Sequence, residues 1–126
     1  MNTETETYEL YRRGVDLLEA GSFAAATVPL GKVVRSDPDN LSAREAFGRA
    51  LFRSGQFDRA VGEFEAVVDR QPVNDYAHFC LGRALTKIGE DDRAYHHLAI
   101  ASNLVPSRHD YRVYRERMAN GTGENA

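Results

Sequence analysis

A repeat of 34 residues constrains this chain more than any other feature of it. The stretch Leu41 to Asn74 reads LSAREAFGRALFRSGQFDRAVGEFEAVVDRQPVN. Shifted back by one period, it sets Gly14, Leu17, Gly21, Phe23, Ala26, Leu30, Val33 and Pro38 under Gly48, Leu51, Gly55, Phe57, Ala60, Phe64, Val67 and Pro72. Shifted forward, it meets Gly82, Leu85, Gly89, Ala94, Leu98, Ala101 and Pro106. Three units of equal length fill residues 7–108 without insertion. A period of this size marks supersecondary units that cannot bury their apolar faces alone and must share them with their neighbours.

The glycine, alanine, phenylalanine and proline positions, together with the period, resemble the tetratricopeptide repeat (TPR), a helix–turn–helix unit. The resemblance covers about four-fifths of the 126 residues. It implies an all-α fold, a right-handed α-solenoid of three TPR repeats with a seventh, C-terminal capping helix. The expected divisions are a disordered leader (1–6), repeats at 7–40, 41–74 and 75–108, the capping helix at 109–119 and a disordered tail (120–126).

Helical spacing of apolar residues refines this plan. The first helix is expected from about Thr7 to Ala20, and a second from Phe23 to Ser36 with a kink or tightened turn at Pro29. Later helices are expected near 41–54, 58–70, 75–88 and 92–104. Gly14, Gly48 and Gly82 recur in mid-helix, where glycine costs about 1 kcal/mol relative to alanine; close approach of the paired helix would account for them. Ala43, Ala50, Ala77 and Ala84 are the expected packing surface of the first helices, whereas Glu9 and Asp16 stand at the matching places of the first repeat and give that end a polar face. Asn40 or Ser42 can cap the third helix, and Ser107 with Asp110 has similar spacing before the seventh. Asp91 replaces the phenylalanine of the earlier turns, so the third turn should be looser. In the last helix Tyr111, Tyr114 and Met118 form an apolar stripe opposite Arg112, Arg115 and Glu116.

Composition excludes several function classes. A formal charge of −3 argues against bulk nucleic-acid binding. Cys80 is the single cysteine, so no intramolecular disulfide can form, which favours a reducing, cytoplasmic setting. No apolar run approaches a membrane span and no signal-like region opens the chain. The four histidines lack carboxylates or thiols at ligand spacing. His96 and His97 are neighbours on a helix, pointing roughly 100° apart, and all four are expected on the rim or in solvent. No metal, no cofactor and no catalytic motif is indicated, and the chain is read as no enzyme.

The resemblance implies a groove lined by the first helices of the repeats, taking an extended or helical peptide. The residues expected to line it are Tyr8, Tyr11, Arg49, Phe52, Arg53, Tyr76, Phe79, Arg83, Lys87, Tyr114 and Arg117. Arg49, Arg83 and Arg117 recur one period apart, so they should form a row. Arginine beside aromatic rings binds carboxylates bidentately and stacks on apolar groups, so the expected ligand is an acidic and hydrophobic peptide. The alternative is that these side chains only solvate a face or belong to the core. Some TPR proteins clamp a chaperone's terminal carboxylate with lysine and asparagine; the matching places here, Tyr11, Val15, Ala46, Tyr76 and Cys80, carry neither. An interaction adaptor is therefore the leading reading. Self-association as a homo-oligomer is the competitor, and single-stranded nucleic acid comes last because of the net negative charge.

Overall fold

A computed structural model of the chain describes residues 3–120. The described residues form α-helices and no strands: α1 Thr3–Glu19, α2 Phe23–Ser36, α3 Leu41–Arg53, α4 Phe57–Arg70, α5 Asp75–Lys87, α6 Asp91–Leu104 and α7 His109–Ala119. This is the all-α class expected from the repeat. The chain divides into two compact units, Met1–Glu63 and Phe64–Ala126, with the division falling inside α4.

In the first unit, α2 packs against both α1 and α3, and α1 also touches α3. The approach of α1 to α2 is close enough to require a glycine, because a Cβ at Gly14 would lie 2.4 Å from Leu30 Cγ. Buried Leu18, Leu30, Val33, Phe47 and Leu51 fill this unit. In the second unit, α6 packs against α5 and α7. Gly82 repeats the device there, with Leu98 Cγ 2.6 Å from where its Cβ would stand. The four alanines expected as packing surface, Ala43, Ala50, Ala77 and Ala84, are fully buried.

The turns within the repeats share one geometry. Gly21, Gly55 and Gly89 have φ of +82°, +84° and +79°, a left-handed conformation that side chains resist. Around each, paired backbone bonds close a Schellman-type end, such as Ser22 N–H to Leu17 O at 2.9 Å and Glu90 N–H to Leu85 O at 3.0 Å. The expected loosening at Asp91 does not occur: the glycine and the backbone fix the turn, and the phenylalanine ring is not needed for it. α2 continues through Pro29, which is buried inside it.

Helix starts correct two expectations and decide between the alternatives in a third. α1 begins at Thr3, so residues 3–6, expected in a disordered leader, are helical, with Glu4 and Glu6 in the first turn where the helix dipole favours negative charge. Residues 1–2 and 121–126 lie outside the described part. Asn40, and not Ser42, caps α3: its side chain accepts from Ala43 N–H at 3.0 Å, and Asn74 does the same for Ala77 one repeat later. α7 starts at His109 after Arg108, with no side-chain cap, so Ser107 does not serve. Asp110 there accepts from Tyr111 N–H and holds Arg108 through two bonds, of 2.7 and 3.0 Å.

The stripe on α7 closes the second unit. Tyr111 is fully buried with Phe79, Leu98 and Ala101, and Tyr114 and Met118 pack against them. Tyr111 donates its hydroxyl to Asp75 Oδ2 at 2.7 Å, tying α7 to the start of α5. Burial and that carboxylate push the phenol's pKa above its usual range. Among the described residues no helix is long and apolar enough to cross a membrane.

Candidate functional site

In the first unit, two clefts share Tyr11. One, of about 590 Å³, is lined by Tyr8 and Tyr11 with Glu4, Thr7, Ser36, Asp37 and Asn40. The other, of about 220 Å³, lies between α1 and α3 and is lined by Tyr11, Val15, Leu18 and Glu19 with Ser42, Glu45, Ala46 and Arg49. Tyr8, Tyr11 and Arg49 thus come to clefts. Burial raises the Glu45 carboxyl pKa, and the neighbouring Arg49 charge offsets only part of that rise. Phe52 and Arg53 are engaged within the fold instead. Phe52 meets Phe57 edge-on, with centroids 5.3 Å apart, and the Arg53 guanidinium lies 4.2 Å from the centre of the Phe23 ring. A cation over an aromatic face is held by the ring quadrupole.

In the second unit, Arg83 and Arg117 each place a guanidinium 5.0 Å from the centre of the Tyr114 ring. One period of separation in sequence brings both positive charges to one tyrosine. On α5, Lys87 is exposed and Tyr76 is half-buried, packed against the core of the unit. Phe79, expected as a groove residue, is instead core, 6% exposed. α7 folds over it, with Tyr111 at 4.7 Å and Tyr114 at 5.3 Å between ring centres. Tyr114 itself is half-buried, and its ring meets both Phe79 and the two arginines. Cys80 is buried and takes part in no disulfide.

The histidines separate into two kinds. His96 and His109 are exposed, as expected. His78 is not on a rim: it is 5% exposed, and its Nδ1 lies 3.0 Å from Nδ1 of half-buried His97. His78 Nε2 is 2.7 Å from the Pro72 carbonyl oxygen, which can only accept. His78 therefore carries its proton on Nε2, and its bare Nδ1 accepts from His97 Nδ1–H. Burial, followed by the neighbouring His78, His96 and Arg93, lowers the His97 pKa to about 4.

One repeat earlier the same places hold an ion pair. Arg44 Nε donates to the Pro38 carbonyl at 2.7 Å, and its Nη1 reaches Glu63 Oε1 at 3.1 Å. Arg44 and Glu63 stand one period before His78 and His97. Each clasp ties the turn before its repeat to both helices of the repeat. The signal in the sequence was the shared spacing of 19 residues, but reading the histidines as separate residues hid it.

Comparison with known proteins agrees with the geometry. Residues 45–95 match the family model described as tetratricopeptide repeat. No curated protein matches the chain. Among solved structures, "MamA RS-1 ArsTM double mutant" is similar at 24% identity and a TM-score of 0.88, over 94% of this chain and 66% of that one. "MamA 41-end from Desulfovibrio magneticus RS-1" gives 23% identity and 0.87, over 94% and 68%. This chain thus spans about two thirds of those MamA chains. "First TPR of Spaghetti (RPAP3) bound to HSP90 peptide SRMEEVD" gives 17% identity and 0.85, over 93% of each chain. With helix pairs and turns of that length in place, residues 45–95 matching the family model and these structures sharing the architecture, the chain has the tetratricopeptide repeat fold.

Proposed function

We propose that this chain is a non-catalytic protein-interaction module that holds a peptide segment of a partner, with an acidic and hydrophobic stretch of that segment at the Arg83–Tyr114–Arg117 surface. The observation that carries the reading is the convergence of two guanidiniums on one half-buried tyrosine, 5.0 Å from its centre in each case. Fixed guanidiniums favour carboxylates, and the ring and Tyr76 offer apolar area beside them. Arginine and tyrosine are also the residues over-represented where binding energy concentrates.

A structure of the same fold is titled as bound to an HSP90 peptide, which supports peptide capture as an activity this fold can host. The chain lacks lysine and asparagine at the places expected to clamp a terminal carboxylate, so the proposed ligand is an internal segment. An array of immobilised peptides varying in charge and aromatic content tests the reading. The chain should retain acidic, aromatic-bearing peptides, and Arg83→Glu with Arg117→Glu should lose them while keeping the helical circular dichroism signal. Equal retention by that variant, or no preference by the original chain, overturns the proposal.

A further inference from the structure

The first unit's cleft differs in charge from the second unit's arginine surface. We propose that the cleft between α1 and α3 is a receptor for one basic side chain, a lysine or arginine, of the bound segment. The inference rests on the reading of the chain as a peptide-binding module and names what one part of it takes. Glu19 and Glu45 line this cleft against a single guanidinium, that of Arg49. The adjoining cleft, which shares Tyr11, adds Glu4 and Asp37 with no arginine or lysine. An entering carboxylate would meet the wrong sign.

Glu45 is the key group. It is half-buried and makes no hydrogen bond or ion pair among the described residues, and the Arg49 charge offsets only part of its desolvation. An ammonium or guanidinium entering the cleft supplies the missing donors and favours the ionised carboxyl. The remaining lining suits the stem of such a side chain: Val15, Leu18 and the Tyr11 ring are apolar surface for methylene groups. About 220 Å³ admits one long side chain and excludes a helix or a strand. The expectation of a purely acidic ligand is thereby narrowed to a segment of mixed charge.

The test uses two small probes of opposite charge and similar shape, n-butylammonium and butyrate, titrated into the full chain and followed by amide chemical shifts. Butylammonium should give saturable shifts at Leu18, Ala46 and their neighbours, and butyrate should not. Glu45→Gln should weaken the ammonium by roughly two- to fivefold, the scale of one lost ion pair. Glu65→Gln on α4 should leave binding unchanged. Equal or stronger binding of butyrate, an unaffected Glu45→Gln variant, or no saturable shift with either probe overturns the proposal. Failure here with acidic peptides still captured leaves the interaction module standing. Loss of peptide capture with butylammonium still saturating removes the module and keeps the cation pocket.

Discussion

His97 shows how a single ring converts position into pH dependence. Its pKa is near 4 in the fold against an ordinary 6.5, so the folded chain prefers the neutral ring. The stabilisation is complete above about pH 6.5 and is lost as pH falls toward 4, where the unfolded chain binds a proton the folded one refuses. Discounted for the screening of a half-exposed ring, the effect is on the order of 1 kcal/mol. Urea unfolding at pH 7 and pH 4.5 should show a larger loss for the original chain than for His97→Gln, because Glu45 and Glu63, whose pKa values are raised, are common to both and act in the opposite sense. An equal loss in the two proteins contradicts the assignment. Residue-scale features of this kind were the least legible in the sequence. His78 and His97 pair only because α5 and α6 face each other, and their equivalents one repeat earlier, Arg44 and Glu63, share the register and none of the chemistry. Phe79 was misplaced for a related reason: it lies on a helix contacted on more than one side, and spacing alone does not say that α7 covers that side.

At the scale of the element, the glycines and the last helix give sharp contrasts. Gly82→Ala puts a methyl group 2.6 Å from Leu98 Cγ and 3.2 Å from the Ala94 carbonyl oxygen, where the backbone cannot yield cheaply. It should cost about 1–3 kcal/mol in urea unfolding. Gly62→Ala on α4 meets nothing within 4 Å and should stabilise by up to about 1 kcal/mol through helix propensity alone. If both substitutions destabilise, or neither does, the account of helix approach is wrong. Tyr111→Phe removes the donor to Asp75 and should cost about 1–3 kcal/mol, whereas Tyr111→Ala also opens a cavity and should cost about 3–5 kcal/mol. These elements were readable in advance because a repeat supplies several views of each position. The helix starts at Leu41 and Asp75, the buried alanines and the α7 stripe all followed from period and apolar spacing. The start at Thr3 was not: it lies ahead of the first repeat, where no periodicity reaches.

For the whole molecule, the proposal is that each unit offers a face to a polypeptide partner, the first through Tyr11 and Glu45 on α1 and α3, the second through Arg83, Tyr114 and Arg117 on α5 and α7. The period made these helices recognisable as equivalent, and charge then distinguishes them: carboxylates outnumber guanidiniums in the two clefts that share Tyr11, and guanidiniums mark the tyrosine surface of the second unit. The most direct test is to titrate an array-selected peptide into the isotopically labelled chain and map the amide shifts. The account predicts shifts concentrated on α1, α3, α5 and α7, absent from the variant carrying Arg83→Glu and Arg117→Glu. Shifts concentrated instead on α2 and α6, around Val28, Tyr95 and Leu104, would contradict it.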